Sequence, residues 1–276
     1  MGIGLRRTPK GGFGNRLLAF LVLRQLASRY RVPYFSSNLA DRWMIKGIHR
    51  PRRFDGILRR YDHVYTAEDL LSQGGVERVG QSLRSGHSVS LRLPLLGEAL
   101  ARVSHVPSSR LVEAVGRQCS AHMRRQENRP LVSFHLRGSD FFDWDPSAIH
   151  PTSFYTNAFA MLQSELHGDH YFRICVDDYN HPALPAVSEL LRSSRQGLVE
   201  TDCLNPQECD FMAMVESDYI VASPSTFAIT AGILGTAKVV HNQNWVASKA
   251  GAGEEFWRQI RDNELLGYEV LGLVED

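Results

Sequence analysis

In the C-terminal half, short runs rich in β-branched and aromatic residues alternate with longer stretches of helical periodicity. The strand-like runs are Leu131 to Leu136, Tyr171 to Val176, Leu198 to Thr201, Tyr219 to Ala222 and Ala237 to His241. Helical patterns fall between them: Thr152 to Leu166, with Thr152 or Ser153 as cap, then Pro182 to Arg192, Pro206 to Glu216 and Ser225 to Leu234. A βαβ rhythm of this kind predicts a parallel, doubly wound sheet.

The N-terminal half opens with a strand pattern, Ile3 to Arg7, followed by a glycine-containing loop and an apolar helix from Asn15 to about Tyr30. Leu17, Leu18, Leu21, Val22 and Leu26 make its buried side, while Arg24, Gln25, Ser28 and Arg29 make its polar side. A second strand runs from Pro33 to Ser36. Periodicity is then lost until Ser88 to Leu93 suggests another strand. The polar run Met123 to Pro130, MRRQENRP, reads as a linker. It divides the chain into a smaller N-terminal α/β domain, 1–126, and a C-terminal Rossmann-like domain, 127–276. Two α/β domains facing across a cleft place a ligand off the carboxyl ends of the strands.

A chain of 276 residues, 43% hydrophobic and 22% charged, suits two folded domains rather than a disordered or fibrous chain. Its net charge of +1, from 31 basic against 30 acidic residues, excludes the global basicity that duplex nucleic acid binding uses. Arginine outnumbers lysine, and its planar fork grips phosphate in two places, which directs attention to an anionic ligand. Arg42, Lys46, Arg50, Arg52, Arg53, Arg59 and Arg60 form a basic run that reads either as a solvated face or as a peripheral membrane contact. Cys119, Cys175, Cys203 and Cys209 match neither a zinc knuckle nor a CxxC pair and read as buried or idle thiols. With no apolar run of signal-peptide or membrane-spanning length, the expected location is the cytoplasm.

Four segments carry candidate chemistry. His135-Leu136-Arg137-Gly138-Ser139-Asp140 ends a strand in an HxRxxD pattern, so that Arg137 emerges at the ligand edge of the sheet with Asp140 to orient its fork. Gly11-Gly12-Phe13-Gly14-Asn15-Arg16 leads into a helix N-terminus that can receive phosphate or a sugar hydroxyl. Asp177-Asp178 follows the next strand and can accept the two adjacent N–H donors of a guanine edge or cap the following helix. Ser223-Pro224-Ser225-Thr226 offers hydroxyls that either cap a helix or bind phosphate.

In order and spacing, GGFGNR, HLRGSD, FRICVDD and SPSTFAITAGIL resemble the bacterial α-1,2-fucosyltransferases and their α-1,6- and protein O-fucosyltransferase relatives. The resemblance implies a GT-B fold of two Rossmann-like domains, an inverting mechanism, no metal ion and no cofactor besides GDP-fucose as sugar donor. The implied partners are the nucleotide sugar and a glycan or glycoconjugate acceptor. By position, Arg137 would stabilise the departing β-phosphate, with Asp140 and Asn15 completing the catalytic set. His135 with Asp177 or Asp178 would hold guanine, and Ser223, Ser225 and Thr226 would contact the diphosphate. Gly12, Gly14, Asn15 and Arg16 would approach the phosphate or fucose from the other domain. Asp143, Asp145 and His150 are the candidate bases for the acceptor hydroxyl. Against the HxRRGD pattern the second arginine is Gly138, and Arg16 stands where glutamine is usual. A transferase for a different nucleotide sugar, or a non-catalytic nucleotide-sugar-binding protein, uses the same scaffold.

Overall fold

The computed structural model describes residues 3–5, 13–36, 62–66, 69–70, 72–92, 129–139, 141–144, 146–194, 197–200, 207–244 and 269–275. These fall into two compact units, residues up to 92 in one and those from 129 in the other. Both are α/β with parallel sheets, as the alternating pattern predicts. Of the predicted linker only Arg129 and Pro130 lie among the described residues. None of the described helices is long and apolar enough to cross a membrane.

The first unit comprises β1 (Ile3–Leu5), α1 (Phe13–Tyr30), β2 (Tyr34–Ser36), β3 (His63–Thr66), α2 (Gly75–Arg84) and β4 (Val89–Arg92). Its sheet order is β2-β1-β4-β3, and all pairs are parallel. Helix α1 starts at Phe13, two residues before the predicted Asn15, and buries Ala19, Val22, Leu23, Leu26 and Ala27 while Ser28 and Arg29 stay exposed. The Tyr30 hydroxyl donates to the Val76 carbonyl at 2.7 Å, joining α1 to α2. Gly80 lies beneath the same ring, where a Cβ would come within 2.2 Å of it. That contact explains why α2 escapes sequence reading: glycine weakens the local helical signal, and tertiary packing demands it. Strand β3 escapes because it is a four-residue edge strand, exposed at His63 and Val64.

The second unit comprises β5 (Leu131–Leu136), the short α3 (Phe141–Trp144), α4 (Thr152–Glu165), β6 (His170–Val176), α5 (Leu184–Ser193), β7 (Gly197–Glu200), α6 (Gln207–Val215), β8 (Tyr219–Val221), α7 (Thr226–Leu234), β9 (Lys238–Asn242) and β10 (Glu269–Val274). The predicted strands and helices of this half fall within two residues of these limits, but β10 was not anticipated. It is an edge strand whose register shifts between Val270 and Gly272, so its apolar alternation is broken. The expected cap of α4 also differs, since Thr152 is already helical and Pro151 precedes it without a side-chain cap.

The sheet order is β10-β9-β8-β5-β6-β7, parallel throughout. From β5 the chain winds outward to β7, returns to β8 on the other side of β5, and winds outward again. The strand order therefore reverses between β5 and β8, the point where such sheets receive ligands.

Side-chain alternation gives the central strands two different faces. Val132, Phe134, Leu136, Phe172, Ile174 and Val176 pack with Phe154, Tyr155 and Phe159 of α4 and with Val187 and Leu191 of α5. On the opposite face the buried positions are Ser133, His135, Arg173 and Cys175. Parallel strands buried on both faces usually read as continuous apolar runs. Here the second face, which also buries Tyr171 and Ile220, carries polar groups bonded to one another: Ser133 and Ser217 hydroxyls meet at 2.7 Å, and Arg173 Nη2 lies 3.1 Å from Asp210 Oδ1 of α6. Burial pushes the Cys175 thiol upward, and both Cys175 and Cys209 are buried and unlinked, as expected; Cys119 and Cys203 lie outside the described residues.

Breaking that ion pair should therefore cost more than replacing it. Asp210→Ala, which leaves the Arg173 charge buried, should lower unfolding free energy by about 3–5 kcal/mol, whereas Arg173→Met with Asp210→Leu should equal or exceed the wild type in urea denaturation. Equal midpoints for Asp210→Ala and wild type would refute the arrangement.

Candidate functional site

The pairing of β5 with β6 matches Leu136 with Val176, so the first residues beyond the two strands, Arg137 and Asp177, emerge side by side. The Asp177 carboxylate bonds Arg137 Nη1 through one oxygen and accepts the Gly138 N–H through the other at 2.7 Å. Arg137 also lies 5.1 Å from the Phe141 ring centroid, within cation–π range. At the other end of the residue, the Arg137 N–H donates to Ser223 Oγ at 2.9 Å, across from the end of β8. The guanidinium is thus held at its tip by β6 and at its root by β8.

The turn after Arg137 is tight. The Phe141 N–H donates to the Gly138 carbonyl at 3.0 Å, the Phe142 N–H to the Ser139 carbonyl at 3.2 Å, and Ser139 adopts φ +49°. A Cβ at Gly138 would sit 2.9 Å from the Phe142 ring and 3.2 Å from Asp178 Cβ. The arginine expected at this position in the HxRRGD pattern would require the Phe142 ring to shift and Asp178 to give way slightly.

From the end of β8, Ser225 caps α7, accepting the Phe227 N–H at 3.2 Å, and half-buried Thr226 opens the helix. The neighbouring carboxyl ends of β5 and β8 therefore carry an arginine and a helix N-terminus, two features that attract negative charge.

The structure corrects several assignments. Ser223 is 1% exposed and its hydroxyl is committed to protein groups, so it is not a diphosphate ligand. Asp177 serves Arg137 and Gly138 rather than a guanine edge, taking the orienting part expected of Asp140, which lies outside the described residues. Asp178 caps its own turn, accepting the Asn180 N–H at 2.9 Å through one oxygen. His135 is 4% exposed with its ring 5.7 Å from that of Phe227, beneath the site rather than on its surface. His150, 3% exposed and 4.4 Å from the Phe154 ring, is interior, where it cannot meet an acceptor hydroxyl. Asp143 is exposed on α3, directly after the Arg137 turn.

Gly14 is buried and, with Asn15 and Arg16, occupies the first turn of α1. Gly12, Asp145 and the basic run from 42 to 60 lie outside the described residues. Sequence reasoning missed Tyr155, Phe141 and His181. The first reads as an ordinary core aromatic of a helix, and the contacts of Tyr155 and His181 depend on chain returns that no local pattern encodes, whereas Phe141 meets Arg137 through the tight turn between them.

Below the Arg137 turn, three buried ring nitrogens, His135 Nδ1, His150 Nε2 and His181 Nε2, have no protein partner. His181 Nδ1 accepts the Ala183 N–H at 3.2 Å. Burial holds His135 and His150 down at about 3, with Arg137 adding to the effect on His135, and holds His241 at about 4. All three are therefore neutral at physiological pH. Among the described residues, no group of three or more His, Cys, Asp or Glu side chains is placed to hold a metal ion.

No protein-family model matches the chain, and no curated protein matches it in sequence. Among solved structures it is similar to POFUT1 in complex with GDP-fucose, with a TM-score of 0.47 and 12% identity, covering 84% of this chain and 93% of that one.

The buried histidines make the fold acid-labile. An unfolded chain takes up protons at these rings near pH 6.5, whereas the native state does so only near pH 3 to 4, so stability is full above the unfolded value and falls as pH drops below it. The slope is about 1.4 kcal/mol per pH unit for each ring, so the three together should remove about 4 kcal/mol between about pH 7.5 and about pH 5.5. Urea unfolding at the two pH values measures this, and His150→Phe should flatten the slope by roughly a third. A pH-independent midpoint over that range would contradict the burial of these rings.

Proposed function

We propose that this chain is an inverting glycosyltransferase that moves fucose from GDP-fucose to a hydroxyl of a glycan or glycoconjugate, within the fucosyltransferase-like group that its four motifs resemble. The observation that carries the reading is Arg137, its guanidinium held by Asp177 and its backbone N–H by Ser223, at the strand-order reversal of the second sheet and next to the N-terminus of α7. A diphosphate is the ligand class suited to a planar cation and a helix N-terminus together.

In this reading the β-phosphate lies against Arg137 and the first turn of α7, where Ser225 and Thr226 stand. As the bond from the anomeric carbon to the β-phosphate oxygen breaks, negative charge grows on that oxygen, and Arg137 offsets it without a divalent ion. The acceptor oxygen attacks the opposite face of the anomeric carbon and gives up its proton, with exposed Asp143 the nearest candidate base in sequence. The approach of Asn15 and Arg16 to the phosphate or fucose and the cytoplasmic or membrane-peripheral location belong to the same proposal. One observation favours a silent nucleotide-sugar-binding protein instead: Gly138 supplies no second cation, and a side chain there would require the Phe142 ring to shift. Release of free GDP from GDP-fucose separates the two, because a binder releases none.

Of the two aspartates, Asp178 is the one available to a guanine edge. GDP should accordingly bind more tightly than UDP or ADP in calorimetry, and a preference for UDP would sink the GDP-sugar reading.

Arg137→Ala should lower kcat by at least about a hundredfold with EDTA present throughout, because the lost interaction grows as the bond breaks. Arg137→Lys, which keeps the charge and loses the fork, should recover only part of the rate. Near-wild-type kcat in a folded Arg137→Ala variant would remove Arg137 from the centre of the reaction.

A further inference from the structure

We infer that Tyr155, a fully buried residue of α4, is a positioning residue for Arg137 and acts through the hydroxyl of Ser223; the inference rests on the sugar-donor reading of the site. A serine hydroxyl has one hydrogen to give and two lone pairs to fill. Ser223 Oγ gives its hydrogen to the His135 carbonyl and accepts the Arg137 N–H at 2.9 Å. The remaining lone pair faces the Tyr155 hydroxyl at 3.1 Å. Because the serine hydrogen is already committed, the tyrosine must donate, and its other acceptor, the His135 carbonyl, is farther away at 3.4 Å. With that bond Ser223 is saturated, and its orientation toward Arg137 is single-valued.

The tyrosine is itself held. It is 0% exposed, with the rings of Phe154 at 5.0 Å, His181 at 6.2 Å and His150 at 6.4 Å. Its hydroxyl therefore connects three segments remote in sequence: α4, the end of β5 and the end of β8. The described rings packed around it are neutral at neutral pH, since burial holds His150 at about 3 and lowers His181, while it raises the tyrosine itself. Among the described residues, the ionised group that acts on the tyrosine is Asp177, which holds the Arg137 guanidinium.

The consequence is a division of labour along Arg137. Asp177 aims the guanidinium, while Ser223 and Tyr155 fix the backbone from which it springs. Removing the tyrosine hydroxyl leaves a buried lone pair unfilled and lets Ser223 Oγ choose other rotamers. The Arg137 root then loosens although the charge is intact. Ground-state binding of GDP, which uses the charge, should change little; the geometry needed as the bond breaks should suffer.

The test is a double-mutant cycle on the full chain, combining Tyr155→Phe with Arg137→Ala and reading GDP affinity by calorimetry and GDP-fucose turnover by steady-state kinetics. Tyr155→Phe keeps the ring and should reduce kcat about tenfold with KM for the sugar donor changed less than about twofold. In the Arg137→Ala background the same substitution should cost nothing further. Ser223→Ala, the second variant, should reduce kcat at least as much as Tyr155→Phe and show the same loss of effect without Arg137. Equal fractional losses in both backgrounds mean that the tyrosine is merely structural, and unchanged kcat in both single variants means that the node is idle; either result overturns the inference while leaving GDP binding and turnover by the wild type in place. A wild type that neither binds GDP nor turns over GDP-fucose overturns the donor reading, and this inference with it.

Discussion

The in-register parallel pairing of β5 with β6 on one side and β8 on the other is the constraint on which the second unit depends. It sets Arg137 and Asp177, the first residues beyond β5 and β6, level with one another and brings Ser223, the second residue beyond β8, beside them, so that the three meet although 40 residues separate the first pair and 86 the bonded pair Arg137 and Ser223. A slip of one residue between β5 and β6 would do more than separate Arg137 from Asp177. It would turn Val132, Phe134 and Leu136 out of the apolar layer and bring Ser133 and His135 into it.

That alternation also explains why so many polar groups are buried without being exposed to water. One face of β5 and β6 supplies the aromatic and aliphatic layer under α4 and α5. The other holds Ser133, His135, Arg173 and Cys175, matched by Ser217 and Asp210. The matched groups meet the requirement that buried hydrogen-bonding capacity be satisfied. The unpartnered ring nitrogens of His135, His150 and His181 do not meet it, and they gather beneath the Arg137 turn. Kept neutral by burial, these rings add no positive charge of their own, and Arg137 remains the cation of that turn.

The turn itself is specified by what it lacks. With no side chain at Gly138, Phe142 and Asp178 close over the backbone and the glycine N–H reaches Asp177. A second arginine there would add charge but displace the packing that holds the first. The site thus relies on one arginine with fixed direction, and direction is supplied by neutral hydrogen bonds below and a carboxylate beside it.

Much of this architecture was legible in the residues alone. The alternation of β-rich and helical runs from 131 to 242 determines α/β class and the parallel sense of the sheet, because each run must bury one face against the next element. The strand-end position of Arg137 and the capping role of Ser225 were legible for the same local reason. In the first unit β3 and α2 were not, since an exposed edge strand and a helix with Gly80 packed beneath Tyr30 suppress the local signal. The partners of Arg137 were not legible either. Asp177 was read as a base ligand and Ser223 as a phosphate ligand, and Tyr155 was not singled out, whereas strand register and the return of the chain to β8 bring the three to one residue. Local sequence determined which groups could do chemistry, because rotamer, cap and period act over a few residues. Only the tertiary structure decided which of them face a ligand and which hold one another, because that depends on contacts between segments far apart in the chain.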